Sequence, residues 1–125
     1  MIKIITNNPA VAEGYPGLTQ YQDGDVYGVF VAVRDVVHLG GRLISHPLSG
    51  SIKPNESPYK SVAVLLEMRK GLKQSPIQTD TKSLQVIEDA IAVLRRMPKK
   101  SREYTPAMLE DFRVIDLDLI ENVVR

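Results

Sequence analysis

Hydrophobic residues at the start of the chain form one short block that gives way to turn-forming residues. Residues 2–6 are apolar and β-branched and end at an Asn-Asn-Pro sequence, which predicts a buried strand that runs into a polar loop. Residues 13–24 are rich in glycine and predict a loop with a brief edge strand near residues 19–22.

Residues 25–39 carry two conflicting signals. Apolar residues recur every three or four positions, as on one face of a helix, whereas the many valines and Gly28 favour a strand. The stretch is long for a strand, Asp25 is a suitable N-cap, and Gly40 and Gly41 form a suitable C-terminal stop. The sequence therefore predicts a helix here.

Two further apolar blocks predict strands. Residues 42–45 are expected to form a second core strand, and residues 61–67 a third. The third is nearly all apolar, which predicts that it is covered on both faces. A strand, a helix and a strand in succession predict a right-handed crossover and a partly parallel sheet. Residues 68–79 are expected to form a polar connection.

The second half of the chain begins with its clearest helical pattern, over residues 81–97, which Pro98 ends. Thr105 and Pro106 form a cap and a first-turn proline, so another helix is expected to begin there. Apolar residues then alternate with aspartates, which favours a strand over residues 113–118, with continued helix as the alternative.

These elements predict an α/β fold, namely a single small three-layer-like domain over residues 1–125. It would contain a partly parallel sheet of three to five strands and about three helices. Hydrophobic residues make up 43% of the chain and charged residues 25%, which is an ordinary globular composition. The chain has no cysteine, which excludes disulfides, thiolate metal sites, iron–sulfur clusters and a cysteine nucleophile.

Charge and hydropathy restrict the partners. The formal net charge is +1, which gives no support to a nucleic-acid binder. The longest uncharged apolar run, residues 26–33, is far shorter than the ~20 residues of a membrane span. The first residues also lack the features of a signal peptide. We therefore expect a cytoplasmic protein that binds neither nucleic acid nor membrane.

The candidate chemistry lies in the segment over residues 46–61. Long loops of low apolar content inside a compact domain are usually functional or disordered, and three prolines make disorder unfavourable here. The loop follows a predicted strand, as does the Asn-Asn pair after the first strand, so the two loops are expected to converge. Their amide, hydroxyl and ammonium groups suit a small anionic ligand. The candidate ligand-binding residues are Asn7, Asn8, His46, Ser49, Ser51, Lys53, Asn55, Tyr59 and Lys60.

Other chemical interpretations are weaker. Arg34 also joins the candidates, although surface pairing with Asp35 is favoured for it. His46 and a loop serine could act as base and nucleophile, but spacing alone does not indicate a triad. The two histidines lack metal-ligand spacing, so no metal and no cofactor are expected. Asp116 and Asp118 on one strand face would suit Mg²⁺, although an outward polar face is favoured.

The basic cluster at residues 95–102 could contact an acidic partner, although a solvated helix end is favoured.

Three segments resemble the GrdX family of small proteins. They are residues 6–9 (Thr-Asn-Asn-Pro), residues 33–40 with their Val-Arg-Asp and Val-Val-His sequences, and above all residues 46–61, whose His-Pro start, prolines and lysines match in order. The resemblance is strong over residues 2–66, weaker through the helix at residues 84–94 and indistinct beyond. It implies an intracellular accessory protein associated with the glycine, sarcosine and betaine reductase systems of amino-acid-fermenting anaerobes. It assigns no catalytic residue, and a chain without cysteine is not expected to carry out the reduction itself.

Three functional hypotheses follow, in decreasing order of support. The first is a non-enzymatic accessory protein that binds a small anionic ligand or a component of the reductase complex through the 46–61 loop. The second is a small hydrolase or phosphotransfer-type enzyme that uses His46 with a loop serine. The third is a structural homodimer whose interface uses the third strand or the last segment.

Overall fold

A four-stranded mixed sheet forms the centre of the computed structural model, which describes residues 1–50, 52–66, 78–99 and 103–125. The strands are β1 (Ile2–Thr6), β2 (Thr19–Tyr21), β3 (Arg42–Leu43) and β4 (Ser61–Leu65), in the spatial order β2-β1-β4-β3. β1 runs parallel to β2 and antiparallel to β4, and β3 also runs antiparallel to β4. The sheet is thus partly parallel, with one parallel pair.

Helices cover both faces of this sheet. They are α1 (Pro9–Gly14), α2 (Val26–His38), α3 (Thr81–Arg96) and α4 (Pro106–Val124). α2 and α3 pack on the face that presents Ile5, Val62 and Val64. The opposite face presents Ile4 and Ala63 to α1 and α4. The predicted α/β fold with three layers is therefore confirmed. No helix among the described residues has the length and apolar character of a membrane span.

Local caps explain where the longer helices begin. The Asp25 carboxylate accepts a hydrogen bond from the Gly28 backbone N–H at 2.8 Å, which resolves the conflict over residues 25–39 in favour of a helix. Asp80 caps α3 and Thr105 caps α4 in the same way. The helices predicted over residues 81–97 and from Thr105-Pro106 onward are confirmed.

The polar loop expected directly after the first strand is wrong, because α1 begins there. The Asn8 side chain accepts a hydrogen bond from the Ala10 N–H at 3.0 Å, and Pro9 occupies the first helical turn. This is the same cap-and-proline arrangement that starts α4, and it was readable in the sequence. The brief edge strand near residues 19–22 is confirmed as β2.

The strand predicted over residues 113–118 is also wrong, because α4 continues through it to Val124. Asp116 is buried and Asp118 is exposed. Two residues apart on a helix point in different directions, so these carboxylates form neither a pair nor one outward polar face. The strand was predicted because Asp116 and Asp118 alternate with apolar residues, as polar residues do along a strand. Here one of the two aspartates lies on the buried face of a helix instead.

The second predicted strand is not a core strand. β3 spans only Arg42–Leu43 and lies at the edge of the sheet, with Ile44 41% exposed beside it. The third predicted strand is confirmed as β4, whose central residues Val62, Ala63 and Val64 are fully buried. β4 pairs on both sides, so it offers no free edge to a second copy of the chain. Residues 67–77, which include most of the predicted polar connection, lie outside the described residues.

A substitution at Gly41 tests the packing between α2 and β3. A Cβ atom at this position would lie 2.8 Å from Val36 Cγ1 and 2.9 Å from the Val36 carbonyl oxygen. Because a backbone carbonyl cannot move aside, Gly41→Ala is expected to lower the free energy of unfolding by about 1–3 kcal/mol. Urea denaturation measures this, with Gly17→Ala as the control, since nothing lies within 4 Å of a Cβ there. Equal stabilities for the two variants would contradict the tight α2–β3 contact.

Candidate functional site

A buried polar network joins α4 to the ends of β1 and β4. The Asp116 carboxylate accepts hydrogen bonds from Ser61 Oγ at 2.6 Å and from Asn8 Nδ2 at 3.0 Å. Ser61 Oγ also lies 2.7 Å from Thr6 Oγ1. All four residues are buried, and each polar group has a partner. The network therefore holds three elements together at the end of the sheet where the predicted site lies.

The two asparagines after β1 connect different parts of this end. Asn8 caps α1 with its Oδ1 and donates from Nδ2 to the Arg113 carbonyl at 2.9 Å as well as to Asp116. Asn7 Oδ1 accepts from the Lys60 N–H at 2.9 Å, and its Nδ2 donates to the carbonyls of Gly24 and Pro58, both at 2.8 Å. The expected convergence of the two loops is thus observed. Both side-chain amides therefore hydrogen-bond within the protein and hold separate segments together.

Burial shifts the pKa of Asp116, which belongs to this network, and of Lys60, which lies beside it. It raises the pKa of Asp116, which the hydrogen bonds from Ser61 and Asn8 and the nearby Lys60 ammonium partly offset. It also lowers the pKa of Lys60, which the Asp116 charge partly offsets. The Lys60 Nζ donates to the Ser49 carbonyl at 2.9 Å. Pairs of charged groups with perturbed pKa values often mark functional sites. Whether this pair could bind a ligand depends on the space beside it.

The space beside Lys60 and Asp116 is a cavity of about 20 Å³, which is room for about one water molecule. The loop residues Ser49, Lys53, Tyr59 and Lys60 line it against Asp116 and other residues of α4. This volume is far below the roughly 300–1,000 Å³ of small-molecule sites. The cavity lies where the 46–61 loop contacts α4, and its lining mixes polar with apolar residues.

Arg113 adds to the contact between the 46–61 loop and α4. Its guanidinium donates to the Tyr59 hydroxyl at 2.9 Å and lies 5.7 Å from the centre of the Tyr59 ring. Glu110 accepts from the same guanidinium at 2.8 Å. The phenol that the sequence offered as a ligand-binding group is therefore already held by α4.

A much larger groove lies on the other side of the 46–61 loop, with a volume of about 650 Å³. Its walls are the start of α2 at residues 24–27, the loop residues Pro54, Asn55, Ser57 and Pro58, and the end of α3 with the residues that follow it. We call it the α2–α3 groove. Its volume is within the range of small-molecule sites, roughly 300–1,000 Å³.

Within the described part of the chain, the α2–α3 groove presents positive charge and an unpaired polar atom. Arg95 and Lys99 are exposed on its α3 side. The Arg95 guanidinium donates to the Tyr27 hydroxyl at 2.6 Å and lies 5.3 Å from the centre of its ring, which fixes its position. Asn55 Nδ2 donates to the Pro98 carbonyl at 3.1 Å, whereas its buried Oδ1 has no hydrogen-bond partner among the described residues.

The remaining candidates lie apart from the α2–α3 groove or outside the described structure. His46 is exposed, and its Nδ1 accepts from the Leu48 N–H at 3.1 Å. No hydroxyl of the described residues is hydrogen-bonded to His46. Arg34 on α2 pairs with Glu88 on α3, with 3.7 Å between Nε and Oε1. Ser51 lies outside the described residues, as do Lys100 and Arg102 of the basic cluster. In the described ranges, no cluster of acidic or histidine side chains could hold a metal ion.

The family model for GrdX-like proteins matches residues 3–125. The chain belongs to the GrdX family. The match extends through the C-terminal region, where the sequence resemblance was indistinct, and so includes α4 and the polar network. Membership of the GrdX family supports an association with glycine reductase-type systems. Neither the curated proteins nor the solved structures give a match to this chain.

Sequence reasoning missed several residues that shape the site of this GrdX-family chain. It favoured a solvated helix end over contact with an acidic partner for Arg95 and Lys99, and it did not consider Tyr27 or Arg113. One signal was available for Asp116, because Phe112, Asp116 and Ile120 share a helical face. An acidic residue within an apolar stripe predicts a buried partner. No local signal brings Arg95 to Tyr27, since 68 residues separate them.

Proposed function

We propose that this GrdX-family protein is a non-enzymatic accessory protein of glycine reductase-type systems that binds a small anionic ligand in the α2–α3 groove. The observation that carries the proposal is the groove itself, at about 650 Å³. The cavity beside Lys60 and Asp116, at about 20 Å³, is too small for this role. The 46–61 loop contributes one wall of the groove and is therefore part of the proposed binding site.

The charges that line the groove favour an anion. Arg95 and Lys99 provide two cations, and the start of α2 provides the positive end of a helix dipole. Asp25 is the acidic residue of the lining, and its carboxylate already accepts from the Gly28 N–H. The end of α3 adds a partial negative charge, which its own arginines offset. A carboxylate or phosphate of small size fits this balance.

The groove supports binding more than catalysis. Ser57 is its lining hydroxyl on the loop side, and its Oγ both donates to the Tyr59 carbonyl and accepts from the Tyr59 N–H, each at 3.1 Å. Among the described residues, this hydroxyl donates to its own loop and not to a base that could activate it. Arg95, held by Tyr27, is preorganised to orient an anion without ordering a flexible side chain.

A thermal-shift screen tests the proposal. The probes are inorganic phosphate, acetyl phosphate, glycine, sarcosine and betaine, each added to the full chain. A ligand at about one hundred times its Kd stabilises by about 2.7 kcal/mol, which is a rise of several degrees in Tm. We expect the anionic probes to produce such a rise, and Lys99→Ala and Arg95→Lys to reduce it at least about tenfold in apparent affinity.

Two substitutions serve as matched controls. Arg96→Ala removes a neighbouring exposed cation that does not line the groove, and Lys53→Ala removes a lysine of the small cavity. Both variants should bind like the parent chain. Binding that is lost in Lys53→Ala and kept in Lys99→Ala would move the site to the other side of the loop. A screen in which no anion changes Tm would reject the proposal.

A further inference from the structure

One edge of the central sheet has free backbone groups. The Ile4 N–H donates to the Leu18 carbonyl at 2.8 Å, and the Gln22 N–H donates to the Thr6 carbonyl at 2.7 Å. This parallel register turns the backbone groups of Gln20 toward β1 and those of Thr19 and Tyr21 outward. No described residue outside the sheet bonds the outward groups. As far as the described ranges go, β2 is therefore an open edge.

The opposite edge of the sheet is protected. The Leu43 N–H of β3 donates to Ser83 Oγ on α3 at 2.9 Å, so a side chain takes up an outward donor of that edge. Proteins usually cover or charge their edge strands, because a free edge pairs with other chains. The contrast between the two edges makes β2 the position where a further strand would add.

An apolar surface of α2 lies next to the open edge. A groove of about 400 Å³ separates β2 from α2, and its α2 side is formed mainly by Val31, Ala32, Val36 and Leu39. Leu39, at the end of α2, is 70% exposed, and Gln20 and Gln22 form the β2 side of the groove. An exposed apolar surface continuous with a free strand edge is typical of a protein–protein interface.

We propose that a second copy of the chain covers this surface, with β2 antiparallel to the partner's β2 about a two-fold axis at Gln20. Thr19 then lies opposite the partner's Tyr21, and Tyr21 opposite the partner's Thr19. Both residues turn their backbone groups outward, so this register forms four backbone hydrogen bonds and loses none within either sheet. Aromatic side chains opposite β-branched ones are favourable cross-strand pairs. The edge is thus complementary to itself, which favours a second copy over an unrelated protein.

The same axis brings α2 against the partner's α2 in antiparallel orientation. Strand and helix rises of about 3.3 and 1.5 Å per residue put Val31 roughly level with Gln20. The small residues Gly28 and Ala32 flank Val31 on the groove side and permit close approach of the two helices. Asp35 comes to the first turn of the partner's α2, where a carboxylate is stabilised by the helix dipole. A three-residue strand is a short interface by itself, so the helices supply most of the buried area.

Sedimentation velocity and multi-angle light scattering test the dimer. The parent chain is expected at twice its 13.9 kDa mass. Val31→Lys places two ammonium groups near the axis and is expected to raise the Kd of the dimer at least about 100-fold. The matched control is Val114→Lys, at an exposed valine on α4, which should leave the dimer intact. Circular dichroism verifies that both variants are folded.

Tyr21→Pro is the second variant, for use if Val31→Lys does not fold. Tyr21→Pro removes one outward N–H and no hydrogen bond within the sheet, and it should also dissociate the dimer. A parent chain that stays monomeric at millimolar concentration overturns the proposal. So does a dimer that resists both β2–α2 variants and dissociates in Val114→Lys, since that result assigns the interface to α4. Lys99→Ala should not change the mass, which separates this proposal from ligand binding in the α2–α3 groove.

Discussion

Asn8→Ala is expected to lower the free energy of unfolding by about 3 kcal/mol. Asn8 is fully buried, and its side chain makes three hydrogen bonds. Loss of the α1 cap contributes about 1 kcal/mol of this effect. The larger part comes from the Asp116 carboxylate, which loses one of its two close donors while it stays buried, at a cost of about 1.5–3 kcal/mol. Urea denaturation at neutral pH measures the change.

Two companion variants isolate the cause. Asn122→Ala makes the same chemical change at an exposed position of α4 and should alter stability by less than about 0.5 kcal/mol. Asn8→Asp keeps the oxygen that caps α1 but turns the donor to Asp116 into a second carboxylate. It should be destabilised at neutral pH and should recover as acid protonates the pair. A loss below about 1 kcal/mol for Asn8→Ala would show that the bond to Asp116 contributes little.

Asp116→Asn is expected to remove a pH dependence from the stability of the parent chain. Burial raises the pKa of Asp116 in the folded state above its unfolded value of about 4. A raised pKa means that the associated stability is fully present below about pH 4 and is lost as the pH rises through the folded pKa. The parent chain should therefore lose stability over this window, with a slope of at most about 1.4 kcal/mol per pH unit. The amide does not titrate, so this slope should disappear.

The amide variant suits the local geometry. Ser61 Oγ and Asn8 Nδ2 both donate to the same oxygen of Asp116, Oδ2, so an asparagine whose carbonyl oxygen takes that position keeps both hydrogen bonds. Asp118→Asn, at an exposed carboxylate on the same helix, is the control and should retain the slope of the parent chain. Urea denaturation of the three proteins between pH 3 and 7 makes the comparison. A slope that persists in Asp116→Asn would assign it to another group.

The sequence predicted the loop that forms one wall of the candidate site, but it did not predict the other walls or the residues on them. The prolines, lysines and low apolar content of residues 46–61 identified the loop that forms one wall of the α2–α3 groove. The other walls come from the start of α2 and the end of α3, and no local pattern reports that these two ends meet. The same limit applies to Asn7, whose amide finds its partners at Gly24 and Pro58 only through the tertiary fold.

Local sequence features were sufficient for the elements whose causes lie nearby in the chain. Continuous apolar blocks predicted β1 and β4, and helical spacing with caps at Asp25 and Thr105 predicted α2, α3 and the start of α4. Each cause lies within a few residues of its effect. The absence of cysteine likewise excludes thiol chemistry from composition alone.

The length of α4 and the role of Asp116 depend instead on contacts between distant segments. The two donors to Asp116, Ser61 and Asn8, lie 55 and 108 residues away along the chain. Without these donors a buried carboxylate in a helix would be costly. The edge position of β3 and the open edge of β2 also depend on pairing between distant segments. Short-range periodicity does not carry that information, because strand order is set by which apolar faces pack together.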